Sequence, residues 1–346
     1  MASKPATAPV RVSSRQVLRY RARVSHLDAK LPAGSFAETA WGGLQDSVPR
    51  GGVISLHARV DGTQPDSWED PSLVQIWFRG GADYIVPRSD VGIFTLGSYP
   101  RDPERAADLE RVADEVHELT GGRMTPSRDL PRDLGGRPLR VRNTAITGRV
   151  HIRWDAANIW VIPVDRPSID VEDARRELAR RFLHWYGPAT AKRLASWTGV
   201  EPRDALETWH SIEAEVVPVE IEGIKERRFM LAGDIDDLRS AKPIDGVRLL
   251  PMDDPFTKLD HELLIADPAS RARALPKVGR SPGYIPGAVL VDGEIVGAWQ
   301  RQQRNVTVHP FSERPNRVRE AIEAEALAFP IAGTAAPSVR WEPVEG

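Results

Sequence analysis

The chain has 346 residues, 41 % of them apolar, enough to build the cores of about two or three domains. Its formal net charge of -2 means that affinity for nucleic acid cannot rest on global charge and has to come from local basic surface. With no cysteine, the chain has no disulfide, thiol nucleophile, iron–sulfur cluster or Cys-rich zinc site, and its eight histidines lack the short spacings of a metal site, so neither metal nor cofactor is expected.

The opening residues MASKPATAPV lack the apolar core of a signal peptide. No later stretch approaches the roughly 20 apolar residues of a membrane span, so the chain reads as cytoplasmic, and as nucleoid-associated if it acts on DNA. SSRQVLRYRARV reads as a capped helix, SFAETAWGGLQ as a second and PRGGVISLHARV as a third. EDPSLVQIWF reads as a fourth, with Asp70 as N-cap and Pro71 in its first turn, and ADYIVP follows as a strand. Between the second and third helices, Gln45, Asp46 and Ser47 place an amide, a carboxylate and a hydroxyl ahead of a proline and two glycines. A helix end needs polar caps there, and a hydrolytic site needs the same groups.

Residues 121–153 carry eight arginines against two aspartates, and basic residues overall are 40 Arg against seven Lys, a bias that favours bidentate contacts to phosphate. From 168 to 232 the local architecture is clearest. Asp170 caps an amphipathic helix with Ala174, Leu178, Phe182 and Trp185 on one face and arginines largely elsewhere. PATAKRLASWTGV and EPRDALETWHSI give two shorter helices, and EVVPVEIEGIKERRFML gives two strands about a Glu222-Gly223 turn. Three helices and a hairpin form the winged-helix pattern. Glu201, Asp204 and Glu207 make its third helix a poor reader of DNA, so Lys225, Arg227 and Arg228 on the hairpin are the better phosphate contacts.

From about 246 the texture turns to short β-rich runs, VRLLPMDDPF, GAVLVDGEIVGAWQ and NVTVHPF, with an Asp292-Gly293 turn. They predict a small β-barrel closed by the helix NRVREAIEAEALAF. Asp253-Asp254 reads as a capped turn rather than an acid/base pair. GRSPG at 279–283 has the spacing of a serine-hydrolase elbow, but Pro282 lacks the N–H that an oxyanion hole requires. No phosphate-binding loop or dinucleotide fingerprint is present. The expected class is therefore α+β, with tandem winged-helix units and a C-terminal barrel. Its divisions are 10–120 with the candidate motif, an Arg-rich connection at 121–167, a winged-helix unit at 168–240 and the barrel at 246–346.

Taken in order, GGLQDS, RGGADYIVP, RRFLHWYGPATAKRLASWTGV, RLLPMDDPF and VLVDGEIVGAW resemble the winged-helix DNA glycosylases of AlkZ and YcaQ type over nearly the whole chain. That resemblance implies a C-shaped DNA-binding surface and excision of alkylated or crosslinked bases. It places the catalytic motif, Gln-x-Gln or Gln-x-Asp in the two branches, at Gln45-Asp46-Ser47. The first Gln matches, Ser47 stands at the second functional position, and Gly81 and Asp83 stand where relatives tend to carry Thr and His.

Cleavage of the bond to a cationic alkylated purine needs a stabilised oxocarbenium-like sugar and a placed water rather than leaving-group protonation, and losing one polar group of this kind costs on the order of 10² to 10³ in rate. Asp46 or Asp83 is accordingly expected to supply the missing charge. No lysine lies near the motif in sequence, the closest being Lys30, which speaks against a Schiff-base lyase. The expected partner is double-stranded DNA, bound by a monomer through Arg50, Arg79, Arg140, Arg142, Arg149, Arg153, Arg271, Arg273, Arg301 and Arg304 besides the hairpin residues. A non-catalytic winged-helix DNA binder or transcriptional regulator is the alternative.

Overall fold

The structure, a computed structural model, describes residues 8–136, 139–265, 267–274 and 287–344. In chain order the elements begin with β1 (Val10–Val12), α1 (Ser14–Val24), α2 (Phe36–Thr39), β2 (Leu44–Gln45), α3 (Gly51–His57), β3 (Leu73–Phe78), β4 (Ala82–Pro87), α4 (Val91–Leu96) and α5 (Pro103–Thr120). Next come β5 (Thr125–Pro126), α6 (Leu139–Thr144), β6 (Val150–Trp154), β7 (Ile159–Pro163), α7 (Val171–Tyr186), α8 (Ala191–Thr198), α9 (Pro202–Ser211), β8 (Val216–Ile221), β9 (Arg228–Leu231) and α10 (Ile235–Ser240). The last are β10 (Val247–Leu250), α11 (His261–Leu264), α12 (Pro268–Ala274), β11 (Gly287–Val291), β12 (Glu294–Gln302), β13 (Asn305–Pro310), α13 (Asn316–Leu327) and β14 (Ser338–Trp341). The fold is mixed α+β, in two compact units. One contains Pro71–Arg239 and the residues up to Ser14; the other contains Arg15–Asp70 and the chain from Ser240 onward.

In the first unit, β4, β3, β6, β7 and β5 lie side by side in that order. β3 was expected to be helical and is a strand. All six of its residues are buried, it runs between β4 and β6, and a run that is apolar but for Gln75 fits a central strand as well as a helix. Its Gln75 satisfies itself inside by accepting from Trp154 N at 2.7 Å.

The expected helices and hairpin of 168–232 are present as α7, α8, α9, β8 and β9, and β1 joins β8 in parallel to make a three-stranded sheet. Asp170 caps α7 by accepting from the N–H groups of Glu172 and Asp173. Phe182 and Tyr186 of α7 stack at 5.5 Å and meet Trp197 of α8, which in turn meets Phe78 of β3. Two α7 arginines expected on the solvated side are buried instead: Arg175 donates to Tyr99 O at 2.6 Å and Arg181 pairs with Asp90 at 2.8 Å. Within the unit, Arg101 and Arg203 pair with Glu207 of α9, and Arg105 pairs with Glu201 just ahead of it.

In the second unit the expected barrel is an open sheet. Its order is β10-β11-β12-β13-β14, with β14 parallel to β13 and no closure among the described residues. Ile322 and Ala326 of α13, with Phe329 just beyond it, cover one face and pack on Leu249, Val289, Trp299 and Val308. The turn between β11 and β12 is the expected Asp292-Gly293, with φ of 49° and 81°, the double left-handed geometry that glycine tolerates best. The GRSPG run lies outside the described residues.

Candidate active site

The expected second helix stops early. α2 ends at Thr39, Leu44 and Gln45 are extended as β2, and Asp46 and Ser47 lie in the irregular segment that follows, so the motif is not on a helix. Gln45 and Ser47 fall on one side, with Gln45 Nε2 3.4 Å from Ser47 Oγ, and Ser47 is exposed. Asp46 turns the other way and is fully buried: Oδ1 accepts from Gly52 N at 2.8 Å and Oδ2 from Arg50 Nη1 at 3.2 Å. The first turn of a helix leaves N–H groups without partners, and Asp46 serves one of them at the start of α3. Arg50, left-handed at φ 66°, holds its guanidinium 4.1 Å above the Trp68 ring.

A second segment completes the site. The turn after β10 carries Asp253, left-handed at φ 63°, whose Oδ2 accepts from Gln45 Nε2 at 3.0 Å. Lys258 donates to Gln45 Oε1, and its Nζ lies 3.6 Å from Asp253 Oδ1. The Lys258 side chain is 3 % exposed and that of Asp253 9 %. The sequence argument against a lysine near the motif is thereby corrected, since chain distance says nothing about a residue 213 positions away that folds back onto Gln45.

Two buried ion pairs anchor the turn. Asp254 accepts from Arg59 Nη1 and Nη2 at 2.8 and 2.7 Å and from Ser55 Oγ at 2.7 Å, and Asp260 accepts from Arg21 Nη2 at 2.6 Å. Asp253-Asp254 is a turn, as read from sequence, but each carboxylate has its own partner: one holds α3, the other the Gln45 amide.

Asp83 belongs to the first unit. It sits opposite Trp77 in the β3–β4 register and is buried, and burial raises its pKa, opposed by the Arg142 charge. Arg142 also donates to Gly81 O at 3.2 Å.

Most of the arginines expected to grip phosphate are engaged within the protein. Arg79 donates to Ser196 O, Arg149 pairs with Glu110 and Asp114, and Arg140 lies beside Asp133 and Glu115. Arg271 donates to Ile265 O, Arg301 to Pro49 O and Gln303 O, and Arg304 to Gly333 O and Ala335 O. Arg228 is fully buried beside Glu226, so it is a structural member of the hairpin and not a phosphate contact. Lys225 and Arg227 are exposed at the hairpin end, and Arg153 stacks its guanidinium 5.1 Å from the Trp160 ring centre. The Arg273 side chain lies outside the described residues.

A chain that ties an amide motif to a turn 208 residues away belongs to a recognisable class. Residues 39–329 match the family model for AlkZ-like DNA glycosylases, and the chain belongs to that family. It is 29 % identical over 163 residues to an interstrand DNA cross-link repair glycosylase from Streptomyces sahachiroi. That match covers 45 % of this chain and 42 % of the relative, so the chain spans under half the length of the curated relative it matches. Its fold is that of the Streptomyces sahachiroi DNA glycosylase AlkZ, with a TM-score of 0.72 and 21 % identity over 96 % of this chain and all of that one.

Proposed function

We propose that the protein is a monofunctional DNA glycosylase that excises alkylated or crosslinked purines, carried by N7 or N3, from double-stranded DNA. The observation that carries this reading is the Gln45 carboxamide, bonded on both ends, beside an exposed Ser47 hydroxyl in a member of the AlkZ-like family. α7 to α9 with the β8–β9 hairpin act as a winged-helix unit in which Lys225 and Arg227 meet the phosphate backbone, with Arg153 as a further cationic group.

In the reaction the C1′–N bond breaks with its electron pair going to the base, whose positive charge is thereby neutralised. Water then adds to C1′ and gives up a proton. A carboxamide oxygen accepts through two lone pairs and a hydroxyl both donates and accepts, so Gln45 and Ser47 are groups that can orient that water. The products are a free alkylated base and an abasic strand.

The test is release of base from duplexes carrying N7-methylguanine, N3-methyladenine or an N7–N7 crosslink, read by mass spectrometry, with the strand nicked only after alkali. Gln45→Ala should abolish release with DNA affinity within a few-fold. No release from any of the three duplexes overturns the reading, and strand nicking without alkali overturns the monofunctional assignment in favour of Lys258 as an amine nucleophile.

A further inference from the structure

We infer that Asp253 and Lys258 are positioning residues of the excision centre, clamping the Gln45 carboxamide in one orientation, and that Asp253 brings the carboxylate the motif itself does not offer. This rests on the excision reading above and deepens it.

The motif has one carboxylate, Asp46, and it is already committed to Gly52 N–H and the Arg50 guanidinium on the buried side. The groups on the Gln45 and Ser47 side are an amide and a hydroxyl, neither of which carries charge. Asp253 changes this. Its Oδ2 takes the Gln45 N–H, and its Oδ1 stands 3.6 Å from the Lys258 ammonium without a hydrogen-bond donor among the described residues. The left-handed φ of Asp253 is an uncommon conformation for a residue other than glycine, and it is the backbone setting that turns the side chain to Gln45 while its neighbour Asp254 turns to Arg59.

An amide has two chemically opposite ends on a nearly symmetric frame, and in a water-facing site it can rotate between them. Here a carboxylate sits at one end and an ammonium at the other. A flipped Gln45 would press N–H against N–H and oxygen against oxygen, so only one orientation survives. The same pair polarises the amide, because donation to a carboxylate raises the electron density on Oε1. Asp253 thus acts through Gln45, and Lys258 fixes which end of the amide it meets.

The test exchanges donor and acceptor. Asp253→Asn removes the charge and should lower the single-turnover excision rate about 10²-fold, with lesion-DNA affinity and melting temperature nearly unchanged. Gln45→Glu alone sets two carboxylates about 3.0 Å apart and should be similarly slow. Combining Gln45→Glu with Asp253→Asn restores a donor on one side, an acceptor on the other and the original net charge, and should recover the rate to within about 10-fold of wild type. Lys258→Met should slow excision, and Lys258→Arg should retain most of it. The proposal is overturned if Asp253→Asn excises at the wild-type rate, or if the double variant is no faster than Asp253→Asn. Should Asp253→Asn prove too unstable to assay, the double variant still decides, because the exchange restores the contact. A wild-type protein that releases no base overturns the excision reading itself and this role with it, whereas an active wild type with an unimpaired Asp253→Asn overturns this role alone.

Discussion

Replacing Asp254 by Asn tests what holds the site's second segment in place. The Asp254 and Arg59 side chains are both 0 % exposed, and the carboxylate accepts from two guanidinium nitrogens and from Ser55. Asn keeps the volume but offers one acceptor oxygen, and its NH₂ faces a guanidinium N–H, donor against donor. A buried Arg59 then has no counter-charge, a change that costs about 3 to 5 kcal/mol where one partner of a buried pair is removed. Against a domain stability of about 5 to 15 kcal/mol that is a large fraction, readable as a shift in the urea midpoint followed by tryptophan fluorescence. Because Asp253 precedes Asp254, the loss should also release Gln45 and slow excision. The control is Arg59→Met with Asp254→Leu, which removes both charges and should recover most of the stability, since it leaves no ion uncompensated. A single variant within about 1 kcal/mol of wild type, or a double variant as unstable as the single, would refute the claim that this pair anchors the turn.

Asp46→Asn retains an acceptor for Gly52 N–H and loses the Arg50 charge contact, so it should cost about 1 kcal/mol of stability and leave excision within a few-fold. A 10²-fold loss at unchanged melting temperature would instead place the Asp46 charge in the chemistry. His151 is held neutral by burial, reinforced by the Arg88 charge, with its pKa lowered from 6.5 to about 4. The unfolded chain therefore binds this proton more readily than the folded one between those values: the His151 contribution is full above pH 6.5 and is lost as the pH falls toward 4. His151→Phe should flatten that part of the stability profile, and an unchanged acid slope in denaturation curves would show that other groups set it.

The helices and hairpin of 168–232 were legible because each signal there is local. Asp170 sits one residue before α7, Gly199 follows α8, Pro202 opens α9, and the apolar residues of α7 repeat on one face. β3 was misread for the opposite reason. LVQIWF is apolar but for Gln75, so it carries neither a clear period of 2 nor one of 3.6, and what makes it a strand is burial of all six residues and pairing with β6, distant in sequence. The predicted barrel failed on long-range pairing as well. Strand content was visible in GAVLVDGEIVGAWQ, but whether a sheet closes depends on what its edge strands meet, and β10 and β14 meet α13 instead of each other.

At the candidate site, the family resemblance pointed to Gln45, Asp46 and Ser47, and the structure sets Asp46 apart from the other two. Treating 45–47 as a helix end allowed Asp46 to swing toward Gln45, whereas its contacts to Gly52 N–H and Arg50 hold it on the buried side. Asp46 is buried in those contacts and Ser47 is exposed. Asp253 and Lys258 had no comparable local signal. A DD pair in a turn is ordinary surface chemistry, and Lys258 is one of seven lysines with nothing in its neighbourhood to mark it. What sets them apart is a relation between two segments: Arg59 and Arg21 are buried to receive Asp254 and Asp260. Two fully buried guanidinium–carboxylate pairs bracket Lys258 and flank Asp253, and a chain that accepts that much desolvation around seven residues fixes their backbone closely. That rigidity is what a carboxamide needs from its neighbours if one lone pair is to stay aimed at a water through the breaking of a glycosidic bond.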